Sequence, residues 1–399
     1  MNQQLILVIN CGSSSLKFSL ICLSTKHTIL TGLAECLGTP EAQLTIKKNG
    51  EKTKTGLVAP HNHRKAIENI LTYLKEQQLD QSIIALGHRF VHGGEVYSAP
   101  TLINDQVIEK IEELSSLAPL HNPANLIGVD ATQAAFPKLP QVAVFDTAFH
   151  QTMPEQAFLY AIPYELYTKH GIRRYGFHGT SHYFVAKEAA KILDKKFSAV
   201  NLITAHLGNG CSISAIKDGR SVDTSMGLTP LEGVAMGTRS GDIDPGLLLH
   251  LQQELGYTAE QLNQLLNKDS GLKGLSSLSN DCRALEDAVL KDNHPQATIA
   301  LSVFCYRIAK TISSYIAALE SLDGLVFTGG IGENSSFVRT QVVKRLSLLN
   351  IHLDEEKNEA TRFGASGNIA SPTSRPCLVI PTNEEWVIAE QTQQVLNKE

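Results

Sequence analysis

The chain has 399 residues, 42% of them hydrophobic, enough for sizeable cores in roughly two or three domains of about 150 residues each. A formal net charge of −5 supplies no basic field and so excludes an electrostatic nucleic-acid binder. Seven cysteines with no CxxC pair read as free thiols in a reducing compartment; with no basic, apolar leader and no run of about 18 apolar residues, a cytosolic globular protein is expected.

In chain order, Leu5-Ile6-Leu7-Val8-Ile9 opens into Asn10-Cys11-Gly12-Ser13-Ser14-Ser15, and a second apolar run follows. These predict a hairpin of strands at 5–10 and 16–23, with further strands at 29–35 and 43–48. Ile67, Ile70, Leu71 and Leu74 recur at helical spacing and predict a helix over 66–79. A strand at 82–87 leads into His88-Arg89-Phe90-Val91-His92-Gly93-Gly94, and a helix at 105–117 and a strand at 141–146 follow. The opening then repeats. A strand at 200–207 ends in Gly208-Asn209-Gly210, and strands at 212–217 and 220–223 flank Asp218-Gly219, a hairpin signal. Pro245 behind Asp244 predicts one helix start, and Thr258 with Gln261 predicts a capping box at the next. A long amphipathic helix is expected over 296–319, strands at 325–328 and 377–381, and a last helix opened by Glu384 and Glu385. Two copies of one α/β unit, Gly12 matching Gly208, would face each other across a cleft.

Strands that end in glycine turns bring backbone N–H groups close to a ligand, which suits phosphate. Leu325-Val326-Phe327-Thr328 opens into a third such turn, Gly329-Gly330-Ile331-Gly332-Glu333-Asn334. Three of them point to a split polyphosphate site. A Walker A loop is excluded because no Gly-Lys pair occurs, the third glycine of a dinucleotide fingerprint is missing, and no protein-kinase motif set is present.

Polar groups concentrate at the strand ends: Asn10, Lys17, Arg89, Asp146, His178, Arg239, Glu384. Each has a bland alternative. Asp146 could cap a loop, Glu384 is favoured by the helix dipole, and the arginines could be surface ion pairs. Arginines inside glycine-rich, apolar-flanked turns are untypical of surface pairs. His88 with His92, and His178 with His182, have metal-ligand spacing, but the adjacent glycines argue for turns and no third ligand is in register.

The strings VINCGSSSLKF (8–18), GHRFVHGG (87–94), LAPLHNP (117–123), VFDTAFH (144–150), RRYGFHGTSH (173–182), AHLGNGCSI (205–213), DTSMGLTPLEGVAMGTRSGDIDP (223–245), FTGGIGENS (327–335) and PTNEE (381–385) resemble the acetate kinases, in matching order. The resemblance implies an α/β chain of two duplicated RNase H-like domains, of the sugar-kinase and actin fold, with an interdomain active-site cleft. The first domain would span 1–150 and be completed by the helix at 384–399; the second, 151–383, would bind nucleotide and dimerise. The implied activity is phosphoryl transfer between ATP and acetate, giving acetyl phosphate and ADP, with a small acyl pocket, in a homodimer.

By motif, Asn10 and Glu384 would position Mg²⁺, for which Mn²⁺ can substitute. Lys17, His206, Leu207, Gly208, Asn209, Gly210, Asp281, Cys282, Arg283, Gly329, Gly330, Ile331, Gly332 and Glu333 would hold ATP or ADP. Arg89 would bind the acetate carboxylate, Asp146 is the family's acid/base residue, and His178 and Arg239 would stabilise the transferring phosphoryl. Val91, Leu120, Phe177 and Pro230 would wall the methyl pocket. Acetate is already ionised at neutral pH, so Asp146 is expected to orient an arginine or a metal-bound water rather than to take a proton. A propionate or butyrate kinase of the same family is the nearest alternative, and an actin- or chaperone-like ATPase switch the alternative of another class.

Overall fold

The structure, a computed structural model, describes residues 4–119 and 121–398. It is a mixed α/β chain with two sheets. One compact unit comprises residues 1–148 and 383–399, and the other residues 149–382.

The first unit holds β1 (Leu5–Cys11), β2 (Leu16–Cys22), β3 (Thr28–Glu35), β4 (Gln43–Lys48), β5 (Glu51–Gly56), β6 (Ile83–Phe90), β7 (Thr101–Leu102) and β8 (Gln141–Phe145). Their order is β5-β4-β3-β2-β1-β6-β8-β7. Alternate side chains of β1 enter two different cores. Leu5, Leu7 and Ile9 pack with Ala66, Ile67, Ile70 and Ala131 on one face, and Ile6 and Val8 with Val142, Val144 and Ile388 on the other. A strand covered on both faces reads as an unbroken apolar run, which is why Leu5 to Ile9 shows no polar alternation. Helices His63–Glu76 and Asn122–Ala135 supply the first cover, and helix Glu384–Leu396 packs on β1, β6 and β8 from the other side.

The second unit holds β9 (Leu202–Leu207), β10 (Cys211–Lys217), β11 (Arg220–Thr224), β12 (Gly324–Thr328), β13 (Gly367–Asn368) and β14 (Cys377–Val379), in the order β11-β10-β9-β12-β14-β13. The topology repeats that of the first. In each unit an antiparallel meander of three strands (β1-β2-β3, β9-β10-β11) continues through two parallel pairings (β1-β6-β8, β9-β12-β14) to a short antiparallel edge strand. Helix Gly179–Ile192 buries Val185, Ala186, Ala189 and Ala190 against Leu202 and Val326.

The expected elements are present with shifts at their ends. The helix expected over 105–117 stops at Glu113 and tightens into a 3₁₀ turn, and the one expected over 296–319 runs Pro295–Ser314 before a 3₁₀ turn at Tyr315–Ala318. The capping box of Thr258 and Gln261 forms, and Asp244 caps the helix that Pro245 begins. Among the elements without a sequence expectation are strand β5 and the helices Asn122–Ala135, Gly179–Ile192, Cys282–Asp292 and Ser336–Val343. β5 is Glu-Lys-Thr-Lys-Thr-Gly and fully exposed, so it has no apolar pattern to betray it; its lysines suit a sheet edge that should not pair further.

Candidate active site

In the first unit the polar groups gather at the carboxyl ends of β1 and β6 and the start of the last helix. Asn10 pairs with Lys17 across the first hairpin. Asn383 caps the helix by accepting from Trp386 N at 3.0 Å, which places Glu384 and Glu385 in its first turn. Asn10, Lys17, Arg89, Glu384 and Glu385 line one small cavity, and the Lys17 ammonium donates to the Glu385 carboxylate.

Arg89 donates from Nε to Asp146 Oδ2 at 3.0 Å and from Nη2 to the same oxygen at 2.5 Å. Asp146 is 2% exposed against 23% for Arg89, so the pair is a buried, two-pronged bridge rather than a surface contact. Burial alone would lower the guanidinium pKa; the charges of Asp146, Glu384 and Glu385 outweigh it and raise it. Burial raises the Glu384 carboxyl above its ordinary range, and Asp146 and Glu385 add to this against the pull of Arg89. Val91 follows β6, half-buried, with its N–H given to Asn125 Oδ1 at 3.3 Å. Asn125 Nδ2 donates to Cys11 O at 2.7 Å and Asn122 Nδ2 to His92 O at 3.0 Å, so one helix start ties the ends of β1 and β6 together. Leu120 lies outside the described residues.

In the second unit, His178 takes a left-handed backbone with φ 58° at the start of its helix, uncommon for a residue other than glycine. Its ring stacks on His206 at 4.3 Å between centroids. A Cβ on Gly210 would lie 3.4 Å from Arg239 Nη1 and 3.5 Å from His178 Nε2, so the absent side chain is what keeps the space between those two groups open. Arg239 Nη1 also donates to Pro230 O at 3.2 Å. Phe177 is buried, with its carbonyl bonded to His150 Nε2 at 3.0 Å.

Behind His178 runs a buried chain of side chains. Ser212 Oγ hydrogen-bonds His178 Nδ1 at 2.9 Å and His182 Nε2 at 2.8 Å, and His182 Nδ1 bonds Thr204 Oγ1 at 2.7 Å. Burial, aided by His150 and His206, lowers the His182 pKa well below that of a free imidazole, which favours the neutral ring. His206 Nδ1 bonds Ser181 Oγ at 2.8 Å. His88 bonds Gln141 Oε1 at 2.8 Å, and His92 Nδ1 accepts from Gly94 N at 3.0 Å.

A separate cavity of about 420 Å³ brings together Gly208, Asn209, Asp281, Arg283, Gly330 and Ile331. The third glycine segment, expected as a turn, forms a short helix over Gly329–Asn334; Gly329 has φ 76°, and a Cβ there would lie 2.7 Å from Leu207 O, so the segment starts directly on the end of β9. Asp281 caps its helix through Arg283 N at 2.8 Å, and the buried Cys282 thiol is pushed up by burial and by Glu286. The Glu333 carboxylate accepts from Gly329 N at 3.0 Å and Thr382 N at 3.1 Å, so it shapes the turn from within. Lys17 is the member of the expected nucleotide set that lies in the first unit, paired with Glu385, while the others lie in the second.

The model of the acetokinase family matches residues 5–390. The chain belongs to that family. It is 56% identical over 400 residues, the whole of both chains, to the acetate kinase of Shewanella oneidensis. Among solved structures, the acetate kinase of Porphyromonas gingivalis is 45% identical with a TM-score of 0.94, covering 98% of this chain and 100% of that one. A propionate kinase from Francisella tularensis is 46% identical with a TM-score of 0.93, covering 98% and 99%.

Within the acetokinase frame, sequence reasoning passed over the residues that act through others: Asn122, Asn125, Ser181, Ser212 and Thr204. Ser181 and His182 lie inside a quoted motif, but nothing in a string shows that a serine on β10 will bridge two histidines of a helix. Arg339 was also passed over. It is fully buried, and all five of its N–H groups reach oxygens, on Gly332, Glu333, Asn358 and Thr361, with no carboxylate among them.

Proposed function

We propose that the chain catalyses reversible, Mg²⁺-dependent phosphoryl transfer between ATP and acetate, giving acetyl phosphate and ADP by direct in-line attack. The observation that carries this reading is the full-length match, at 56% identity, to relatives named acetate kinase.

The chemistry asked of the protein is positioning and charge neutralisation, because the transferring phosphoryl spreads its charge over equatorial oxygens. Arg89 has its Nε–Nη2 edge held by Asp146, which fixes the plane in which the rest of the guanidinium can meet the acetate carboxylate. Asp146 is thereby an orienting group, and acetate needs no base to ionise it. His178 Nε2 and Arg239 Nη1, both beside Gly210, would receive the phosphoryl charge. Gly208–Gly210, Asp281–Arg283 and Gly329–Gly332 would hold the nucleotide, and Val91, two residues past Arg89, would face the methyl group. The carboxylate candidates for a phosphorylated intermediate, Asp146 and Glu384, are engaged with Arg89 and with the proposed metal, which favours direct transfer.

The donor set fits Mg²⁺. Asn10 and Glu384 offer hard oxygens, and Glu384 and Glu385 line one cavity with Asn10, Arg89 and Lys17. Among the described residues no three His, Cys, Asp or Glu side chains form a closed metal cage, as suits an ion held largely by phosphate and water. Bound there, Mg²⁺ would neutralise phosphate charge.

The decisive experiment is acetate-dependent ADP release, run with a panel of C1 to C4 carboxylates and reported as kcat/KM. Acetate should lead. A flat response to every carboxylate would overturn the reading, and a maximum at propionate would favour the second reading, to which the likeness to the Francisella tularensis propionate kinase lends support. We further propose a homodimer formed through the second unit: Ile299 and Tyr306 are more than half exposed on helix Pro295–Ser314, with Val303 half-buried between them. Light scattering should give twice the chain mass at micromolar concentration.

A further inference from the structure

Phe363 is 76% exposed and holds a left-handed backbone with φ 54°. A bulky aromatic residue pays twice there, in apolar exposure and in backbone strain. Both costs fall at the wall of the 420 Å³ cavity that contains Gly208, Gly330 and Arg283.

The surroundings hold it in place. The Arg362 guanidinium lies 4.9 Å from the centre of the Phe363 ring. Arg362 Nε donates to Asn334 O at 2.9 Å and its Nη1 to Glu359 Oε1 at 2.5 Å. Asn334 accepts from Phe363 N at 2.9 Å and donates to Gly330 O at 2.9 Å, so one side chain joins the glycine turn to the aromatic residue. Arg339 makes a second tie from beneath, bonding Gly332 and Glu333 of the turn and Asn358 and Thr361 just ahead of Arg362. The result is a hydrogen-bonded bracket with the glycine segment at one end and a flat aromatic ring at the other.

We propose that Phe363, backed by Arg362, is the platform on which the nucleobase of the phosphoryl donor stacks, with the phosphates toward Gly208–Gly210. This rests on the nucleotide-binding reading above and adds the base-recognising group to it. An aromatic face serves any base, because every base has a π-face, so the platform sets affinity for nucleotides over base-free polyphosphates rather than choice among bases.

Calorimetric titration of the full-length protein with ATP, ADP and inorganic tripolyphosphate tests this. Phe363→Ala should weaken ATP and ADP about tenfold, the order of loss for one base–aromatic stack, and leave tripolyphosphate unchanged. Phe363→Trp should restore nucleotide affinity. Unchanged ATP affinity in Phe363→Ala would overturn the platform, and so would an equal loss for tripolyphosphate, which would mean that the turn rather than the ring had been damaged. Acetate-dependent ADP release, assayed on the same preparation, reports on the kinase reading separately: its absence in protein that binds ATP would overturn that reading and leave the platform to be judged by affinity.

Discussion

At the scale of single residues, the site is built from groups that restrain other groups. Arg89 and Asp146 act as a unit, so Arg89→Ala and Asp146→Ala should each raise the acetate KM, and the double variant should be little worse than either alone. Arg239→Ala should instead depress kcat, by roughly 10³-fold or more if its contact forms with the transferring phosphoryl; additive losses at 89 and 146, or a pure KM effect at 239, would reverse these roles. Ser212 carries a single proton and faces two rings, so it donates to one and accepts from the other. If Thr204 donates to His182, then His182 donates to Ser212 and Ser212 to His178 Nδ1, which leaves the proton on Nε2, beside Gly210. Ser212→Ala should therefore lower kcat on the order of tenfold or more and move the pH–kcat profile, with substrate KM values little changed. A lower kcat with an unmoved profile would mean a packing role alone. The candidate residues at glycine-rich strand ends stand out in the string because turn chemistry is local. Ser212, Thr204 and Arg339 do not, since their partners lie on other elements and a buried serine or arginine has no distinctive neighbours in sequence.

At the scale of elements, most of the strands and helices announce themselves by periodicity and caps. The hairpins at 5–22 and 202–217, the stripe Ile67-Ile70-Leu74 and the Thr258–Gln261 box all show in the sequence. Two of the exceptions have clear physical reasons. Helix Gly179–Ile192 buries alanines and small polar groups rather than a large apolar stripe, and β5 buries nothing. The most consequential cap is Asn383, because the helix it starts carries Glu384. Asn383→Ala should cost about 1 kcal/mol of stability and raise the Mg²⁺ concentration needed for half-maximal rate several-fold. Melting curves and Mg²⁺ titrations check the two effects, and a loss of stability without a shift in Mg²⁺ demand would separate the cap from the metal.

At the scale of the whole molecule, the buried histidines set an acid limit. Burial lowers His88 and His92 to about 4 from an ordinary 6.5. The unfolded chain therefore binds more protons than the folded one between those values, and stability falls as pH drops from 6.5 toward 4. Each histidine accounts for roughly 3 kcal/mol across that window. Glu384 pulls the other way, since a carboxyl raised by folding is stabilised by acid. His182 is lowered by burial as well and acts in the same direction as His88 and His92, so melting temperature should fall between pH 6.5 and 4.5; a flat profile there would show that these rings do not stay neutral. The repeated strand order of the two sheets was also foreshadowed, by the recurrence of an apolar run ending in glycine.

The division of the chain also carries a temporal consequence. The second unit is one continuous stretch, 149–382, whereas the first is interrupted by it and resumes at 383. Ile6, Val8, Val142 and Val144 wait for Ile388 and Ala389 to cover them. During synthesis the amino-terminal sheet leaves the ribosome early with one oily face bare, and the middle of the chain has all its parts first. The usual order of vectorial folding, first made and first finished, is inverted here: strand Leu5–Cys11 is sealed by helix Glu384–Leu396, made long after it, and the same helix delivers Glu384, so the proposed metal-side carboxylate and the closure of the first core arrive in one event.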